Sequence, residues 1–166
     1  MNQETVPGPH IEINLNQQTL SLINSSGETL ALYSVSTALN GPGERENSGC
    51  TPRGKHFIRA MIGHGLPLGS VLRGRRPTGE IYSAALAERY PDRDWILSRV
   101  LWLCGREPGR NRGPGVDTFH RLIYIHGTPD TEPMSVPMSH GCIRMRNTDV
   151  SDLFDQVRPG TAVFIC

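Results

Sequence analysis

Eighteen glycines and thirteen prolines are spread through a chain of 166 residues. That density of turn formers argues against a helical bundle and calls for short elements joined by tight connections. Between the breaks, apolar and polar residues alternate. Ile11, Ile13 and Leu15 do so, then Leu20 and Leu22, with the period of strands that keep one wet face. Asn24-Ser25-Ser26-Gly27 makes a turn, and Leu30, Leu32 and Val35 carry the pattern into a further strand. A polar loop framed by Asn40–Gly43 and Gly49–Gly54 precedes Phe57–Ile62, where the strand pattern resumes. The chain therefore reads as mainly β, opening on a meander.

The length fits one domain over residues 1–166, with its core between about 11 and 165. Apolar residues make up 37% and charged residues 20%, with no apolar run of membrane-spanning length, which argues against disorder, a coiled coil or membrane insertion. A formal net charge of +1 supplies no global field for nucleic acid. Lys55 is the only lysine, so the basic residues are almost all arginines, whose planar fork suits carboxylates and phosphates.

From about Leu66 to Val116 arginine outnumbers acid, and Arg73, Arg75 and Arg76 cluster. This stretch contains a short helix over Ala84–Arg89, a buried strand over Trp95–Leu103 and a Gly/Pro loop over Gly105–Gly115. We read the whole stretch, about 66–116, as a capping insertion laid over the sheet. Val150, Leu153, Phe154 and Val157 fall on one face of a C-terminal helix, with Asn147 or Thr148 as its cap and Arg158-Pro159-Gly160 as its stop. Thr161–Ile165 closes the chain as a strand.

Cys50, Cys104, Cys142 and Cys166 lie far apart with no CxxC element, which speaks against a zinc ribbon or a thioredoxin-like motif. Met1–Thr5 has no basic segment leading into an apolar one. Both features lead to the expectation of a cytoplasmic protein with free thiols. The periplasm is the alternative if a leader has been removed.

The chemistry concentrates near the C-terminus. Leu122–Ile125 forms a strand that delivers His126-Gly127-Thr128 at its end, and a loop with Pro129, Pro133 and Pro137 leads to Ser139-His140-Gly141-Cys142-Ile143-Arg144-Met145. A cysteine nucleophile needs a base for its proton and donors where the oxyanion forms. His126 supplies the base if the two strands are neighbours. Gly141 lets the chain bend, so the amides of His140, Gly141 and Cys142 converge.

These strings, with Asn147-Thr148-Asp149-Val150 and the upstream Thr51-Pro52-Arg53-Gly54 and Phe57, resemble the YkuD-type L,D-transpeptidase family. The resemblance spans about Ile11 to Ile165 and implies a β-sandwich of mixed sheets with a small capping insertion. It also implies Cys142 as nucleophile, His126 as general base and the backbone of His140, Gly141 and Cys142 as oxyanion hole. Ser139, Arg144 and Thr128 become support or substrate-binding residues, Arg144 facing either its own loop or a substrate carboxylate. The implied reaction is attack on the L-centre carbonyl of meso-diaminopimelate in a murein tetrapeptide, with expulsion of D-alanine. Water then gives a tripeptide, and an amine gives a 3→3 crosslink or an exchanged D-amino acid.

With no signal and no wall-anchoring repeat in view, the expectation is an L,D-carboxypeptidase of muropeptide recycling, with peptidoglycan stem peptides as partners and no cofactor. A periplasmic transpeptidase is the alternative. Two remoter readings are a zinc hydrolase using His120, His126, His140 and Cys142, and a murein-binding module without catalysis. The first lacks an H-E-x-x-H element, and the second has no need of a thiol beside an imidazole.

Overall fold

The computed structural model describes residues 8–166; Met1–Thr5, the stretch bearing on a leader, lies outside them. Three antiparallel strands open the fold: β1 (His10–Asn14), β2 (Thr19–Ile23) and β3 (Thr29–Ser36). Their register sets Ile11 against Leu22 and Ile13 against Leu20, and all four side chains are buried. β3 carries the pattern one residue out of phase with the leucines. Leu22 pairs with Ala31 and Leu20 with Tyr33, so Tyr33 and Val35 face the core while Leu30 and Leu32 face outward. A one-residue offset exchanges the two faces of a strand, and local alternation alone does not reveal the pairing partner.

The remaining strands are β4 (Gly54–Ile62), β5 (Ser70–Arg73), β6 (Arg76–Ile81), β7 (Ile96–Gly105), β8 (Tyr124–Gly127), β9 (Ile143–Met145) and β10 (Ala162–Ile165). Two pairings are parallel, β1 with β10 and β8 with β9, and the others are antiparallel. β4 pairs with both β10 and β7, which joins the two ends of the run β4-β10-β1-β2-β3-β9-β8-β7. The mixed sheet thus closes into a barrel-like sandwich around Ile11, Ile13, Ile58, Leu101, Ile125, Ile143 and Val163. Each such side chain contributes roughly 2 kcal/mol of burial.

β7 is integral to that closure, so the stretch 66–116 does not lie over the sheet as a unit. Only the β5–β6 hairpin and the helix α1 (Ala84–Arg89) stand outside the closed run of strands. Ser83 caps α1, its Oγ accepting from the Leu86 amide at 3.1 Å. The second helix, α2 (Asn147–Gln156), buries Val150, Leu153 and Phe154 against the core. It starts without a side-chain cap: the N-cap position is Arg146, and Asn147 lies inside the helix with its amide engaged elsewhere.

Candidate active site

The parallel pair β8–β9 sets Ile125 against Ile143 and His126 against Arg144. Both isoleucines are fully buried in the core. Strand alternation therefore turns Tyr124, His126, Cys142 and Arg144 to the opposite side, where all four line one cavity of about 320 Å³. Val100 of β7, Leu72 of β5 and the Gly74-Arg75 tip of the β5–β6 hairpin complete much of its wall.

Three side-chain bonds shape the turn before β9. Ser139 Oγ donates to the Cys142 carbonyl at 2.6 Å and accepts from the Gly141 amide at 3.2 Å. Thr51 Oγ1 donates to the Gly141 carbonyl at 2.9 Å. Gly141 sits at φ +134°, and a Cβ there would lie 3.1 Å from Ile123 Cδ1 and 3.2 Å from the Cys50 carbonyl oxygen. Only glycine suits both the dihedral and the space. Ser139 thus takes the Gly141 amide, one of the three donors expected from the motif, while those of His140 and Cys142 have no such side-chain acceptor among the described residues.

His126 is buried, with Nδ1 2.6 Å from the Gly127 carbonyl oxygen. A carbonyl only accepts, so Nδ1 carries the proton and Nε2 of the neutral ring keeps its lone pair. Burial lowers the imidazole pKa below its ordinary 6.5; the Gly127 carbonyl and Asp94 push it upward and Arg144 pushes it further down. Cys142 Sγ accepts from the Tyr124 amide at 3.4 Å and donates to the Leu122 carbonyl at 3.4 Å. Burial pushes this thiol up to about 11. The Tyr124 amide, Arg144 and Arg121 work against that rise, and Asp94 adds to it. The resting pair is thus a neutral thiol and a neutral imidazole, and among the described residues no hydrogen bond joins them. Such contacts commonly form only when substrate arrives.

The other residues singled out by the sequence separate by position. His140 is exposed at the cavity edge, and Ser139 and Arg144 also border the cavity. Arg144 is nevertheless occupied: it donates to the Met138 carbonyl at 3.5 Å and lies 3.6 Å from both Asp94 and Glu132. Thr128 is buried behind the site, bonded to Met145 through its amide and to Asn147 through its carbonyl. It supports the strand end and does not line the cavity. His120, a member of the zinc reading, lies outside the cavity with its ring 3.1 Å from Asp117.

Several contributors escape sequence reasoning. Asn147 accepts from Ser98 Oγ at 2.6 Å and donates to the Thr128 carbonyl at 2.9 Å, tying the β7 bulge to the end of the histidine strand. Arg121 donates to the Cys50 carbonyl at 2.7 Å and holds the polar loop against the cavity. Leu122, at φ +60°, presents its carbonyl to the sulfur. For Asn147 and Leu122 the local signal points elsewhere, to a helix cap and to a strand.

A closed mixed β-sheet with a thiol and a neutral imidazole opening on one cavity is the architecture of a thiol-dependent acyl-transfer enzyme. Residues 8–165 match YkuD, the L,D-transpeptidase catalytic domain, and the chain belongs to that family. It is 46% identical over 43 residues to the probable L,D-transpeptidase YbiS of Escherichia coli K12, a match covering 26% of this chain and 14% of that protein. In fold it is similar to the L,D-transpeptidase of Xylanimonas cellulosilytica, with a TM-score of 0.55 and 18% identity over 98% of this chain and 62% of the other. L,D-transpeptidase 3 of Mycobacterium tuberculosis gives 0.59 and 14% identity over 96% and 60%. The chain thus spans less than two thirds of these solved neighbours, and the stretch it shares with YbiS is a small part of that protein.

Proposed function

We propose that the chain is a cysteine acyl-enzyme L,D-carboxypeptidase that converts diaminopimelate-containing murein tetrapeptides to tripeptides. The observation that carries this reading is the His126–Gly127 bond, which leaves Nε2 free as a base in the cavity that holds Cys142. As substrate enters, His126 Nε2 takes the Cys142 proton. The thiolate attacks the carbonyl of the L-centre of meso-diaminopimelate, and the His140 and Cys142 amides receive the oxyanion. Collapse breaks the bond to D-alanine, whose amine leaves with the proton from His126. A water then gives one proton to His126 and attacks the thioester. The C–S bond breaks, His126 returns that proton to the Cys142 sulfur, and the tripeptide leaves as an acid that ionises to solvent.

Water competes with an acceptor amine for that thioester, and an amine would make the reaction a periplasmic transpeptidation. The cavity volume of about 320 Å³, at the small end for ligand sites, is consistent with water as the acceptor. The four cysteines, free of disulfides, suit a cytoplasmic location and a role in muropeptide recycling, which form part of the same proposal. The test is incubation with disaccharide-tetrapeptide, with and without excess acceptor stem, read by mass. Tripeptide with free D-alanine as main product in both supports the carboxypeptidase. Dimers or exchanged D-amino acids as main product would restore the transpeptidase. Turnover that stops with chelator would revive the zinc reading, and tetrapeptide bound but never processed would favour the binding module.

A further inference from the structure

Three arginines line the cavity, and two of them are spent on the protein itself. Arg121 donates to the carbonyls of Cys50 and Gly43 and to Ser48 Oγ. Arg144 holds the Met138 carbonyl between Asp94 and Glu132. Arg75 differs. Its one hydrogen bond runs from Nη1 to the Tyr124 hydroxyl at 3.1 Å, and among the described residues it has no carboxylate partner. A guanidinium carries five donors, so most of this fork is uncommitted.

The fold goes to some length to place it. Arg73 pairs with Arg76, which leaves Gly74 and Arg75 as a two-residue hairpin loop at φ +54° and +64°. Such loops select Gly, Asn or Asp, and a long side chain at positive φ is disfavoured. The guanidinium nevertheless lies over the Trp102 ring, 4.6 Å from its centroid. Trp102 in turn stacks on Phe119 at 4.0 Å and meets Tyr124 edge-on at 5.6 Å. An unfavourable backbone conformation, an aromatic platform and a phenol hydroxyl together hold one unpaired cation half-buried in the lining of the cavity that also holds Cys142.

We infer that Arg75 is the carboxylate-recognising, specificity-determining residue of this site. It pairs with a free carboxylate flanking the scissile bond of the stem peptide, either that of the terminal D-alanine or that on the D-centre of diaminopimelate. The inference rests on the stem-peptide reading above and adds a requirement: amidating the recognised carboxylate removes the pairing. Bidentate pairing to a planar fork is what arginine offers over lysine, so lysine restores the effect only in part.

The experiment measures binding calorimetrically in a Cys142→Ala background, with and without Arg75→Gln, so that it does not depend on turnover. Three tetrapeptides serve as probes: free, amidated at the terminal D-alanine, and amidated at the diaminopimelate D-centre. The free peptide should bind at least tenfold more weakly once Arg75→Gln is introduced. One of the amides should bind the protein with Arg75 more weakly by a similar factor and the Arg75→Gln protein no more weakly than the free peptide does, which identifies the carboxylate. Arg75→Gly suits the positive φ, keeps the hairpin folded and should reproduce the loss, while Arg75→Lys recovers part of it. Equal affinity with and without the guanidinium, persistent discrimination against both amides, or no binding of the free peptide overturns the inference. The functional reading fails separately if the Cys142→Ala protein binds the tetrapeptide and the unsubstituted chain releases no D-alanine from it.

Discussion

The Tyr124 amide donates to the Cys142 sulfur at 3.4 Å, the largest of the influences that favour the thiolate at a sulfur that burial otherwise holds protonated. One hydrogen bond from a neutral amide does not offset desolvation, and the thiol stays up at about 11. Iodoacetamide alkylation of Cys142 in the free protein should therefore climb about tenfold per pH unit from 7 to 9, following the thiolate fraction. A plateau already present below pH 7 would mean a preformed thiolate–imidazolium pair and would contradict the neutral resting state.

Asn147 links two segments that local sequence keeps apart. Asn147→Ala strands the Ser98 hydroxyl and the Thr128 carbonyl without these partners. The expected cost is about 2–4 kcal/mol, toward the lower end for two groups at roughly 1–3 kcal/mol each, because the Ser98 hydroxyl keeps the Gly69 amide as a donor. Thermal unfolding should show a melting temperature lower by about 5–10 °C, with turnover falling as the His126 strand end loosens. An unchanged melting temperature would show that the bridge is idle.

Gly141→Ala tests the turn. The added Cβ meets Ile123 and the Cys50 carbonyl, at a dihedral that L residues rarely adopt. The folded protein should lose at least tenfold in kcat, because a shift of a few tenths of an ångström moves the Cys142 amide and sulfur together. Ser139→Ala should lose activity through the same turn by freeing the Gly141 amide and the Cys142 carbonyl. Full activity in both variants would remove the turn from the account.

Acid should unfold the protein partly through His56. Its ring is buried, with Nδ1 donating to the Gly54 carbonyl at 3.0 Å and Nε2 2.9 Å from Thr118 Oγ1. Burial lowers its pKa to about 4, against an ordinary value of 6.5. Below 6.5 the unfolded chain binds a proton that the native ring refuses, so stability falls as pH falls and the loss is complete near pH 4. The size is about 3 kcal/mol, with His126 adding to it in the same direction. Urea unfolding between pH 7 and pH 4 should show this slope, flattened in His56→Gln. The same slope in the variant would assign the acid sensitivity elsewhere.

The alternation of Ile11, Ile13, Leu20 and Leu22, the strand at Ile125 and the Ser139–Met145 string are legible because each is a local signal. What escapes is pairwise. The closure of β4 on β7 brings a strand from the arginine-rich stretch into the core, and no periodicity reports a pairing partner. Leu30 and Leu32 turn outward because the register of β2 decides their face. Asn147 carries the chemistry of a cap and serves as a bridge, since the fold places Ser98 and Thr128 within its reach. The Gly141 amide looks available from the turn sequence until Ser139 claims it.

The central claim is a covalent one, that the stem peptide passes through a thioester on Cys142. Rapid acid quench of the protein during turnover of tetrapeptide, followed by intact and peptide-level mass measurement, tests it directly. The account predicts an adduct of the tripeptide acyl mass on the peptide containing Cys142, absent in Cys142→Ala, which releases no D-alanine. Turnover with Cys142 unmodified throughout, or persisting in Cys142→Ala, would contradict it.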